Sequence, residues 1–145
     1  MASFLKVEYY STIISQMRQG PTTNKGKNKA KPLLLWTIIS LVETHILSKN
    51  IITLGVLNDR YYEAFYEFNI PRTVIIYPFF YLKNDGFWHL KWKNDQEVII
   101  RTPTFSFIQE NIDYAYLDEE LWNLLQEKNV REKMKEVLIK LIKND

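Results

Sequence analysis

The chain has 145 residues, 46% of them hydrophobic, and a formal net charge of +2, the size and balance of one globular domain with one core. It has no cysteine, which excludes disulfides and thiolate metal sites. Its longest apolar stretch, Leu33 to Val42, is interrupted by Thr37 and Ser40 and falls short of the roughly 18 apolar residues of a membrane span. The opening MASFLKVEYY lacks the cationic start and apolar core of a secretory signal, so the expected setting is cytoplasmic, with no membrane partner.

In chain order, Phe4 to Met17 carries apolar residues near helical spacing at Leu5, Tyr9, Ile13 and Met17 and stops at Gly20-Pro21, which predicts a first helix. Residues 18 to 31 read as a flexible basic loop without apolar periodicity. Pro32 suits the first turn of a helix, where its missing N–H has no partner. That second helix, Pro32 to about Leu47, is apolar on more than one face and should be the core helix. Asn-Ile-Ile-Thr-Leu at 50 to 54 predicts a connector or small strand, and Asn58 is placed to cap a third helix with an aromatic face at Tyr61, Tyr62, Phe65 and Phe68.

Next, Phe79 to Lys83 and Phe87 to Lys93 flank Asn-Asp-Gly, the pattern of a β-hairpin. In its second strand Trp88, Leu90 and Trp92 should face the core, and Phe87, His89, Lys91 and Lys93 the other side. Glu97 to Arg101 predicts a further strand. Thr104 should cap a short helix to Asn111, Asp118 a helix over 119 to 126, and Asn129 a final helix with its stripe at Val130, Met134, Val137, Leu138, Leu141 and Ile142. No repeat and no second domain are expected. The fold class is α+β, a mainly helical single domain over 1 to 145 with a small antiparallel β-hairpin.

Charge is unevenly distributed. Between Glu8 and Glu43 there is no acid, while Arg18, Lys25, Lys27, Lys29 and Lys31 fall in or beside one loop; from Thr102 to Glu127 there are six acids and no lysine or arginine. One basic end and one acidic end suit a protein that meets a polyanion with one face, although a solvated loop has the same composition. The backbone-contact candidates are Arg18, Lys25, Lys27, Lys29, Arg72, Lys83 and His89. For catalysis the residues offer little: two histidines, His45 and His89, no matching ligand cluster, no Gly-rich phosphate loop, and adjacent acids at Asp118, Glu119 and Glu120 that fit helix capping. No catalytic residue, metal or cofactor is expected.

The order basic loop, KPLLLW, aromatic helix, YPFFYLKNDGFWHL and LDEELWNLLQEKNVREKMKEVLIKLI, over about residues 5 to 142, resembles the sulfur-binding domain of phosphorothioate-dependent, McrA-type restriction endonucleases. The resemblance implies a module that docks on duplex DNA in a modification-dependent, type IV restriction system. It implies no active site of its own, since the HNH nuclease domain of many relatives is absent here and cutting would fall to a separate domain or partner. It also implies a shallow apolar cavity for a backbone sulfur, at positions that resemble Tyr77, Pro78 and the stem of Lys31. Two departures stand out: Ala30 replaces a histidine often found before the basic residue, and Tyr81 stands where a small side chain can floor the cavity. A domain of the same fold that reads another mark or unmodified DNA is the first alternative. The second is a protein-interaction adaptor using Tyr61, Tyr62 and Phe65. Monomer and homodimer both remain open.

Overall fold

The computed structural model describes residues 3–20 and 27–144; the candidate Lys25 lies outside them. The fold is α+β and mainly helical, with one two-stranded antiparallel sheet among the described residues. At its centre is α2 (Ala30–Glu43), with eleven of its fourteen residues buried, as an apolar surface on more than one face requires. Its two buried hydroxyls are satisfied within the helix: Thr37 donates to Leu33 O at 2.7 Å and Ser40 to Trp36 O at 2.9 Å. Pro32 occupies the first turn as expected. The helix ends at Glu43, short of Leu47, because His45 takes a left-handed φ of 61°.

Around α2 pack α3 (Leu54–Glu67), α4 (Ile76–Tyr81) and α7 (Lys128–Lys143), and α1 (Phe4–Ser15) lies on α7. The buried face of α1 is Tyr10, Ser11 and Ile14, whereas Leu5 and Tyr9 are exposed. Two apolar stripes run along this helix, and the one carrying Tyr10 goes inward, where its hydroxyl donates to Asp118 Oδ2 at 2.8 Å. Burial, with this carboxylate beside it, pushes the Tyr10 hydroxyl well above its ordinary pKa. The stripe of α7 is as expected at Val130, Met134, Leu138 and Ile142, with Val137 and Leu141 half-buried.

The strand partners differ from the expected hairpin. Phe79 to Lys83 is not a strand: α4 runs through Ile76–Tyr81 and a 3-10 turn follows at Leu82–Asp85. A proline at 78 would forfeit a ladder donor in a strand but is tolerated in a helix's first turn. Gly86, at φ 92°, therefore closes a helical turn instead of a hairpin. Instead β1 (Trp88–Trp92) pairs with β2 (Ile112–Leu117), from Trp88 opposite Leu117 to Trp92 opposite Ile112, with an irregularity after Lys91. The facing of β1 is largely as expected, with Trp88 and Leu90 buried, but Phe87 precedes the strand and is fully buried. Ile52 bridges Ala115 on the free side of β2.

Glu97 to Arg101 does not pair, because Asn94 and Asp95 take successive φ values of 57° and 54° and turn the chain off the sheet, leaving Ile99 97% exposed. Thr104 caps α5 (Phe105–Asn111) as expected, accepting from Phe107 N at 3.1 Å. The other caps move. Thr53, not Asn58, caps α3, and Glu127, not Asn129, precedes α7. Asp118 precedes α6 (Glu119–Leu124) but turns its carboxylate to Tyr10 and His89 instead of capping.

Asn50 extends the sheet with a side chain. Its carboxamide donates to Leu117 O and accepts from Leu117 N, both at 2.8 Å, in place of a neighbouring peptide. Asn50→Ala should lower stability by about 1–3 kcal/mol, since Leu117 loses both partners. A lower urea midpoint with an unchanged m-value would bear this out; an unchanged midpoint would refute it.

Candidate nucleic-acid interface

A cavity of about 280 Å³ opens where the end of α1, the start of α2 and α4 meet. Lys31, Tyr77, Pro78 and Tyr81 all line it, joined by Arg18 and Asn84. Residues 77, 78 and 81 share one side of α4, while Ile75, Ile76 and Phe79 line a different cavity behind it. Pro78 is buried and Tyr77 is 46% exposed, so the cavity has an apolar floor and an aromatic edge open to solvent. The Tyr81 hydroxyl donates to Arg101 O at 2.9 Å. That bond holds the phenol ring in the wall and brings the unpaired segment that carries exposed Arg101 beside the cavity.

The charge of the cavity is set by Asp85. Its carboxylate, 2% exposed, accepts from Lys31 Nζ at 2.6 Å and from Arg18 N at 2.8 Å. It therefore ties the end of α1, the first turn of α2 and the 3-10 turn together. With its ammonium neutralised in this way, Lys31 brings to the cavity its aliphatic stem and not a free charge. Gln19, Asn28 and Asn84 supply polar rim groups. Asn28 is held at both ends, its N–H donating to Gly20 O at 2.6 Å and its side chain accepting from Ala30 N at 2.8 Å.

The other expected backbone contacts are dispersed. Lys27 is exposed and precedes Asn28 of the cavity rim in the chain. Lys29 is only 9% exposed and turns its ammonium to the end of α7, onto Leu141 O at 2.9 Å and Asn144 O, so it serves as a cationic helix end and not as a free phosphate contact. Arg72 lies 4.7 Å above the Tyr62 ring and Lys83 5.1 Å from the Phe80 ring. His89 bonds Asp118 at 2.5 Å and lines a separate cavity with Tyr10, Tyr116, Glu119 and Glu120; three neighbouring carboxylates would repel a phosphate there. Of the aromatic face expected for an adaptor, Tyr61 and Phe65 are core, at 0% and 1% exposure, whereas Tyr62 is half-buried beneath Arg72. Sequence reasoning missed Asp85 as the anchor, because its partner lies 54 residues away and no local spacing marks the pair.

Among solved structures, the fold is similar to that of the type IV phosphorothioation-dependent restriction endonuclease ScoMcrA, with a TM-score of 0.65 and 17% sequence identity over 98% of this chain and 29% of that one. The chain thus spans under a third of that protein. No protein-family model and no curated protein matches. Among the described residues no helix is long and apolar enough to cross a membrane.

Removing the Asp85 charge should cost stability heavily. Asp85→Asn leaves the Lys31 ammonium, 14% exposed, without its counter-ion, and about 3 kcal/mol should be lost, as for other buried pairs broken on one side. The double change Asp85→Leu, Lys31→Met should recover much of that. Equal losses for the single and double variants in chemical denaturation would mean that the pair is not what holds the three segments.

Proposed function

We propose that this chain is a DNA-recognition module that receives the sulfur of a phosphorothioate linkage in the cavity at Lys31, Tyr77, Pro78 and Tyr81, within or beside a modification-dependent restriction system. The observation that carries the reading is the convergence of Lys31, from the first turn of α2, with Tyr77, Pro78 and Tyr81 of α4 on one cavity of about 280 Å³ with an apolar floor. The likeness in fold to a phosphorothioation-dependent endonuclease supports it. A non-bridging sulfur is larger and more weakly hydrated than the oxygen it replaces. Apolar atoms therefore favour sulfur where they penalise a phosphate oxygen that must shed water. Burying some tens of Å² of sulfur surface supplies about 1 kcal/mol, about a fivefold preference.

Duplexes of one sequence, with the linkage in either stereochemical configuration or unmodified, test this directly. The wild type should prefer one modified form by about fivefold or more, and Tyr77→Ala and Pro78→Ala should reduce that preference more than they reduce binding to ordinary DNA. Tyr81→Ala should change it less, because the ring is held in the wall by Arg101 O. Equal affinity for modified and unmodified duplexes would instead favour a domain that reads another mark. No salt-dependent DNA binding at all would favour a protein adaptor.

The module is further proposed to recognise without cutting, with hydrolysis left to another domain or a partner nuclease. A hydrolytic nuclease must activate water and stabilise the developing charge, commonly through a metal on convergent carboxylates or histidines. Purified chain incubated with modified and unmodified duplexes and magnesium, manganese or zinc should leave both intact. Cleavage that copurifies with the chain and disappears on His89→Ala would overturn this part of the reading.

A further inference from the structure

Behind α4, on the face opposite Tyr77 and Pro78, lies a second cavity of about 800 Å³, within the range of small-molecule sites, roughly 300–1,000 Å³. Its floor is apolar: Leu54 from α3, Ile75, Ile76 and Phe79 from α4 and its approach, Ile108 from α5 and Ile112 from β2. Val74 and Phe105 stand at its mouth, 49% and 51% exposed, as apolar surface without cover in the described chain. Asn58, Gln109, Tyr62 and Tyr114 supply polar groups at the rim.

Three charged side chains line the cavity, Asp59, Asp113 and Lys93. The Lys93 ammonium is engaged, donating to Gln109 O at 2.7 Å. Neither Asp59 nor Asp113 makes an ion pair or a side-chain hydrogen bond among the described residues; Lys91, bonded to Asp95, feels the Asp113 charge only as a minor, longer-range attraction. The available charge is therefore negative and set beside an apolar floor. The Gln109 carbonyl leaves the Lys93 charge in place, so the three side chains carry a net formal charge of −1: an anion would meet two carboxylates and one lysine, and a cation two acceptors without a hydrogen-bonded partner.

We propose that this cavity binds a cationic amphiphile, a small molecule whose flat or branched apolar body covers the floor while an ammonium group meets Asp59 and Asp113. Because α4 is only six residues long and has one face in each cavity, a ligand that displaces Ile76 or Phe79 must also move Tyr77 and Tyr81. The site stands independently of the DNA reading; only the consequence of moving Tyr77 and Tyr81 for sulfur binding rests on that reading.

Tryptamine and indole-3-acetate, one ring with opposite charges, are suitable probes, titrated into the labelled chain without DNA and followed by NMR. Tryptamine should saturate the resonances of Ile76, Ile108 and Tyr114 and bind about tenfold tighter than indole-3-acetate, since two exposed charge pairings each contribute up to a few-fold. The double change Asp59→Asn, Asp113→Asn should bring the two affinities together without altering the melting temperature, and Ile76→Trp should block both probes. Equal affinities in the wild type, tighter binding of the acetate, or shifts that never saturate would overturn the proposal. Resonances of Tyr77 and Tyr81, which do not line this cavity, should shift with the same affinity; if they stay fixed while the floor responds, the coupling through α4 is wrong. Since no DNA enters the titration, a failed sulfur preference leaves its outcome untouched.

Discussion

Near-complete burial of α2 is the constraint from which the rest of the arrangement follows. A helix with eleven of fourteen residues inside needs cover on every side, and α3, α4 and α7 supply it. Only Lys31, Trp36 and Glu43 are left partly exposed. At the N-terminal end the chain arrives with two lysines two residues apart, and the geometry gives them opposite tasks. Lys29 turns back to close α7, whose last carbonyls would otherwise lack donors. Lys31 turns towards α4 and the cavity. A single charge-rich stretch thus contributes one cation to the scaffold and one to the candidate site.

Asp85 decides what the second of these can do. A carboxylate at 2% exposure needs compensation, and it finds two donors, the Lys31 ammonium and the Arg18 amide. Those contacts fix the end of α1 against the first turn of α2 and the turn after α4. The same contacts lower the free positive charge at the cavity. The concentration of five cations in residues 18 to 31 therefore overstates the positive field that the folded chain presents.

What the sequence made legible follows from where its signals are local. The all-round apolar character of α2, the Thr104 cap and the α7 stripe depend on spacing within one element, and each is present in the fold. The hairpin was misplaced because Asn-Asp-Gly serves equally to end a helical turn, and the choice was made by Pro78 and by the true partner of β1, some twenty residues further on. The phase of α1 depended on Asp118, far along the chain. In the candidate site, Lys31, Tyr77, Pro78 and Tyr81 came from family resemblance, while periodicity alone left Tyr77-Pro78 indistinguishable from turn chemistry. Gln19, Asn28 and Asn84 carried no local signal of a place in the cavity wall, nor Asp85 of its tie to Lys31; only the fold brings them together.

The neutralised lysine bears on discrimination. A free ammonium attracts the charge of a phosphorothioate and of an ordinary phosphate alike, so it raises affinity for both and separates neither. Apolar contact acts differently, because it rewards the weakly hydrated sulfur and penalises the oxygen. Under the proposed reading, pairing Lys31 with Asp85 removes much of the common attraction at this point and leaves the Tyr77 ring, Pro78 and the lysine stem to set the difference. The general attraction to a duplex can then come from exposed cations outside the cavity, such as Lys27 and Arg101. Affinity and selectivity would thereby reside in different side chains, so that a change in salt would act on the first and leave the second largely in place.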